Sequence, residues 1–116
     1  MRATNAVARK RRHKRVLKAA KGFRGSRSKT YRKARETLMR AGNFAYRDRR
    51  VRKREYRQLW IVRINAAARA GGMNYSTLMS GLRKAGVEID RKQLSEVAIL
   101  DPTTFASLMD TARAAG

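Results

Sequence analysis

The sequence predicts an all-α protein, a long basic N-terminal helical arm leading into a small C-terminal helical domain. No stretch alternates with period two beyond Val87-Glu88-Ile89, whereas apolar residues recur at spacings of three and four from Tyr31 onward. The single proline, Pro102, stands where a helix can begin, and runs of helix formers lie between glycines. Charge is split unevenly. Residues 1–57 hold 23 Lys/Arg against 3 acids and residues 58–116 hold 7 against 5, so +20 of the net +22 falls in the first part. The expected division is an arm over 1–58 and a domain over 59–116. Such an excess cannot be neutralised within the chain, and its density points to a phosphate backbone as partner.

Residues 6–21 contain neither Pro nor Gly, with Thr4 and Asn5 as candidate caps and Gly22 as a stop. Val7, Val16, Leu17 and a few alanines give this segment almost nothing to bury, so it is expected to be helical only against a partner. Residues 22–28 form a flexible basic hinge, where Ser26 or Ser28 can cap the next helix.

From there to Ala70 only Gly42 interrupts the helix formers. One continuous helix would have roughly 43 residues and run about 65 Å, at ~1.5 Å per residue. A break at Gly42-Asn43 would instead give two shorter helices. Tyr31, Ala34, Leu38, Ala41 and Ala45 make one thin apolar stripe. Residues 47–57 then leave no face free of charge. Seven like-charged pairs there fall at i,i+3 or i,i+4, costing roughly 1.5–3.5 kcal/mol at ~0.2–0.5 kcal/mol each. Free in low salt, the arm is expected to be largely unfolded while the C-terminal half stays helical.

At Leu59 the character changes. Trp60, Ile61, Ile64, Ala67, Ala68 and Gly71 form a broad apolar face that joins a core, with Trp60 a core residue and Gly71-Gly72 the end of the helix. Three short helices come next. Ser76 can cap the first, with Leu78, Met79, Leu82 and Ala85 inward and Gly86 as its stop. Asp90 and Gln93 resemble a capping box before Leu94, Val97 and Ala98. Asp101-Pro102 opens the last, with Phe105, Leu108, Met109 and Ala112 inward.

No enzyme is expected. There is no cysteine, the eight acids are scattered, and the glycines form no phosphate loop, so no catalytic, metal-binding or cofactor-binding residues are assigned. No apolar run exceeds four residues, as in Leu59 to Val62, which is too short for a membrane partner. The cluster Lys10 to Arg15 would pass for a nuclear signal, and an Arg-rich, acid-poor start is shared with transit peptides. The basic character runs on through Arg57 into a patterned helix, so a removable leader is not expected.

Arginine outnumbers lysine 21 to 9, and its planar fork suits phosphates and bases of irregular RNA. Phe23, Tyr31, Phe44, Tyr46 and Tyr56 are interleaved among the cations and can stack on unpaired bases; Tyr31 and Phe44 can instead pack along the helix. The candidate RNA-binding residues near the start are Arg9, Lys10, Arg11, Arg12, His13, Lys14, Arg15, Lys18 and Lys21. Through the hinge and into the long helix they are Phe23, Arg24, Arg27, Lys29, Tyr31, Arg32 and Lys33. Further along lie Tyr46, Arg47, Arg49, Arg50, Arg52, Lys53, Arg54 and Arg57. Phosphate contacts carry no sugar identity, so a DNA-compacting protein remains an alternative.

Several segments resemble the bacterial large-ribosomal-subunit protein L-twenty family. They are Lys21-Gly-Phe-Arg-Gly-Ser-Arg-Ser-Lys-Thr-Tyr-Arg32, Ala45-Tyr-Arg-Asp-Arg-Arg50, Leu59-Trp-Ile-Val-Arg-Ile-Asn-Ala-Ala-Ala-Arg69, Tyr75-Ser76, Gly81-Leu82 and Ile89-Asp-Arg-Lys92. Together they span about His13 to Ala115; the opening Met1 to Asn5 is less basic than is usual in the family. The resemblance implies an arm threaded into 23S rRNA, a small domain on an rRNA surface, and an early role in building the large (50S) subunit. It implies neighbouring large-subunit proteins as partners, a cytoplasmic ribosomal location and no homo-oligomer. It adds Lys84, Arg91 and Lys92 as RNA-facing residues. In some members the C-terminal domain represses its own mRNA, which gives an alternative function through residues 59–116.

Overall fold

The computed structural model describes residues 6–116; the candidate caps Thr4 and Asn5 and the opening Met1 to Asn5 lie outside the described residues. Helix-forming runs and the glycines between them become five helices: α1 (Ala6–Ala19), α2 (Tyr31–Ala70), α3 (Tyr75–Lys84), α4 (Arg91–Leu100) and α5 (Pro102–Ala115). A 3-10 turn occupies Gly25–Ser28, and no strand occurs among the described residues. The all-α expectation holds. Contacts divide the chain into two compact units, Met1–Arg50 and Val51–Gly116, and α2 contributes to both.

In the first unit, Gly22 takes φ 88° and the Phe23 N–H donates to the Ala20 carbonyl at 3.2 Å, closing α1. The segment between α1 and α2 contains a hydrogen-bonded turn. The Ser28 hydroxyl donates to the Gly25 carbonyl at 3.2 Å, and the Lys29 and Thr30 N–H groups donate to the Ser26 carbonyl at 3.1 and 2.8 Å. Neither serine caps α2, contrary to expectation, because both are committed to this turn. The helix begins at Tyr31, with the Ala34 N–H donating to the Thr30 carbonyl at 2.9 Å.

α1 itself holds no buried residue, as its thin apolar content led one to expect; only His13, Val16 and Leu17 are half-buried in it. Ala20 and Ala34 are fully buried, and Val16, Leu17, Phe23, Tyr31 and Leu38 are half-buried. The His13 ring stacks on the Tyr31 ring at 3.9 Å between centroids and 12° between planes. The thin apolar stripe that starts at Tyr31 ends at Leu38, for Ala41 and Ala45 are exposed. From Met39 to Arg50 every residue of α2 is exposed, yet the helix runs unbroken through Gly42. A lone glycine costs about 1 kcal/mol against alanine, which a helix already propagating on both sides tolerates.

The core of the second unit is Ile64 and Ala68 from α2, Leu78 and Leu82 from α3, Leu94 from α4, and Phe105, Met109 and Ala112 from α5. Of the other expected inward positions, Ala67, Met79, Val97, Ala98 and Leu108 pack half-buried against this core, whereas Trp60, Ile61, Gly71 and Ala85 do not join it. Trp60 and Ile61 are only half-buried, since the covered side of α2 begins one turn later at Ile64, and Ala85 is exposed at the C-cap of α3. Two helix ends share one chemistry. Gly72 (φ 84°) and Gly86 (φ 74°) are left-handed; the Met73 N–H reaches the Ala68 carbonyl at 2.9 Å and the Val87 N–H the Leu82 carbonyl at 3.0 Å. The first of these turns leaves only Met73 and Asn74 before α3. The cap is therefore Asn74, whose Oδ1 accepts the Thr77 N–H at 2.8 Å, rather than Ser76.

The other two caps fall where expected. Asp90 Oδ1 accepts the Gln93 N–H at 2.8 Å and Asp101 Oδ1 the Thr104 N–H at 3.1 Å, with Pro102 in the first turn of α5. The hydroxyl of Thr103, then the hydroxyl and N–H of Thr104, hold the Asp101 carboxyl at about 2 against an ordinary 3.8. A depressed folded pKa means the cap's contribution is complete above the ordinary value and is lost as pH falls toward 2. Amide protection at the start of α5 should therefore weaken between pH 4 and pH 2, and Asp101→Asn should flatten that step. NMR-detected exchange across this range checks both.

Candidate nucleic-acid interface

α1 and the turn after it carry Arg9, Lys10, Arg11, Arg12, Lys14, Arg15, Lys18, Lys21, Arg24, Arg27 and Lys29, all exposed. Arg32 and Lys33 continue this exposed set into α2, where Arg32 approaches Glu36 at 3.5 Å. His13, Phe23 and Tyr31 are half-buried, and the stacking of His13 on Tyr31 leaves each ring only one free face.

Further along α2, the helical repeat puts arginines over aromatic faces. The Arg50 guanidinium lies 3.7 Å from the Tyr46 ring centroid and donates to the Tyr46 carbonyl at 3.2 Å. Arg47 lies 4.6 Å and Arg40 5.9 Å from the Phe44 centroid, and Arg47 Nε pairs with Asp48 at 2.9 Å. Such contacts restrict long side chains before any ligand arrives and leave the remaining guanidinium N–H groups to bind one. Phe44 thus packs along its own helix, one of the two alternatives that its sequence position allowed. Arg49, Arg52, Lys53, Arg54 and Arg57 are exposed and belong to none of the three ion pairs among the described residues.

In the second unit, Lys84 is exposed at the end of α3. Arg91 is half-buried, with its Nε donating to the Tyr75 hydroxyl at 2.7 Å. Lys92 is exposed and flanks a groove of about 710 Å³ lined also by Lys53, Tyr56, Arg57 and Trp60 of α2 and Glu96 of α4. The Tyr56 and Trp60 rings are stacked in it, with centroids 6.2 Å apart. Sequence reasoning did not single out Arg35, Arg40 or Trp60 for an interface. For Arg40 the signal was present, since Arg40, Phe44 and Arg47 stand at i, i+4 and i+7. For Trp60 it was not, because its apolar spacing matches that of the true core residues.

Among the described residues no group of His, Cys, Asp and Glu could hold a metal ion, and no helix is long and apolar enough to cross a membrane. What the exposed cations can do is contact many phosphates at once, a salt-dependent attraction that positions a polyanion without reading its sequence. The fold and surface define a class, a small all-helical protein with a strongly basic exposed surface. The chain belongs to the ribosomal protein L20 family, whose profile matches residues 2–108. It is 55% identical over 113 residues to the large ribosomal subunit protein bL20 of Aromatoleum aromaticum, covering 97% of this chain and 95% of that one. The family is structural rather than enzymatic, and its place is the cytoplasmic ribosome.

Proposed function

We propose that the chain is a structural constituent of the bacterial large ribosomal subunit that binds 23S rRNA directly and acts early in assembly of the 50S particle. Residues 1–58 serve as the rRNA-binding arm and residues 59–116 as the small globular domain. The observation that carries this is the unbroken helix through Met39–Arg50, exposed on every side and followed by Arg52, Lys53, Arg54 and Arg57. A helical stretch that buries nothing and, from Arg47 onward, repels itself gains stability from a partner, and packed phosphate strands supply the matching charge. Large-subunit proteins are expected as neighbours.

Sedimentation of the tagged chain with large subunits and their precursors tests the proposal. Recovery in the earliest precursors is expected. Absence from every precursor, with presence only in finished subunits, would refute the early role; absence from both would refute the placement. A second role as repressor of its own mRNA draws support from a core confined to Ile64–Ala112, which leaves the second unit separable. A fragment lacking the arm that fails to bind its own leader RNA rules this out.

A further inference from the structure

We propose that the groove formed by α2 and α4 holds one unpaired RNA nucleotide, its base stacked on the Tyr56–Trp60 rings and its phosphates against Lys53, Arg57 and Lys92. This rests on the rRNA-binding function proposed above and goes beyond it, because it assigns a kind of RNA structure to a particular place. Trp60, the chain's only tryptophan, lies outside the core and only half-buried, although its spacing places it in line with Ile64 and Ala68. Tyr56 beside it is 52% exposed, and the two rings are inclined by 29°. Together they leave an aromatic surface in contact with water, flanked by cations. Base–aromatic stacking uses such a surface, and any base supplies the matching π-face.

The same lining decides among occupants. A duplex keeps its base faces inside its own stack and cannot present one to the rings, so the nucleotide must be unpaired. Glu96, the one acid in the groove, accepts hydrogen bonds but donates none when ionised, and it repels phosphate. It therefore directs phosphate toward the cations and favours the N–H groups of a base edge on its own side. An acidic protein segment would satisfy the cations but would need an aromatic residue at the right spacing to cover the rings. A nucleotide brings both chemistries in one unit. At about 710 Å³ the groove falls within the ~300–1,000 Å³ usual for ligand sites.

The test uses the full chain and two end-labelled RNA hairpins that differ by one bulged nucleotide, with binding read by anisotropy and stacking by Trp60 emission. The bulged hairpin should bind more tightly, by about 5- to 150-fold, and quench Trp60. Trp60→Leu should abolish the preference and Trp60→Phe should keep most of it. Tyr56→Leu, at an exposed position, should reduce it in a chain that remains folded by circular dichroism. Equal affinity for the two hairpins with unchanged Trp60 emission overturns the groove assignment and leaves rRNA binding standing. Failure to bind either hairpin overturns both. An acidic Glu/Tyr peptide that quenches Trp60 at the same concentration as the bulged RNA reassigns the groove to a protein segment.

Discussion

Gly81→Ala should destabilise the small domain by about 2 kcal/mol, an overpacking cost near ~3 kcal/mol less ~1 kcal/mol gained in helix propensity. Gly81 is buried in α3 where that helix crosses α5. A Cβ added there would lie 2.8 Å from the Ala112 Cβ and 2.9 Å from its carbonyl carbon, and closer still to the carbonyl oxygen. Those atoms belong to or sit directly on the α5 backbone, so no rotamer change relieves the clash and one helix must move. For a domain of this size the thermal midpoint should fall by roughly 8–16 °C. Gly42→Ala is the matched control. It is helical, exposed and without neighbours within 4 Å of an added Cβ, so it should stabilise α2 by about 1 kcal/mol. Thermal melts of both variants decide the matter, and shifts in the same direction would refute the close crossing.

Replacing Arg49, Arg50, Arg52, Lys53 and Arg54 together by glutamine should move two properties in opposite directions. Each of the seven like-charged pairs in residues 47–57 includes at least one of these five side chains. Their removal relieves roughly 1.5–3.5 kcal/mol of repulsion, so residues 41–57 should be more protected from amide exchange in the free protein. RNA affinity should meanwhile fall, and the slope of log affinity against log salt should decrease by roughly 3.5–4.5, at ~0.7–0.9 per lost phosphate contact. Exchange and filter binding over a salt series measure the two halves. A variant that loses both helix and affinity would mean that these cations stabilise the helix from within, contrary to the exposure of the segment and the absence of acids paired to them.

Most of the candidate surface was legible in the sequence because it depends on charge, and charge needs no fold to be counted. The exposed positions of Arg49, Arg52, Lys53, Arg54 and Arg57 follow from a segment with no apolar face to turn inward. Caps resolved unevenly. Asp90 was readable because no other capping residue shares its turn, and Asp101 because Pro102 directly after it marks the first turn of α5. Asn74 was not, because Ser76 stands two residues on and the left-handed turn at Gly72 decides how soon α3 starts. Ser28 failed for a similar reason, its hydroxyl being taken by the Gly25 carbonyl in a turn that spacing alone does not reveal.

The sequence by itself determined the helical class, the end of the long helix at Gly71-Gly72, the inward faces of α3 to α5 apart from Ala85, and the concentration of charge before Gln58. These follow from periodicity, backbone preference and composition, which act locally or add up along the chain. Only the tertiary structure decided which member of an apolar row is covered. Trp60, Ile64 and Ala68 repeat at the same spacing, yet Ile64 and Ala68 are buried and Trp60 is left half-open beside Lys92 and Glu96. Burial depends on where other helices stop, and that is set by packing between residues far apart in the chain. Ala20 and Ala34 are likewise fully buried, although neither residue's spacing signals full burial.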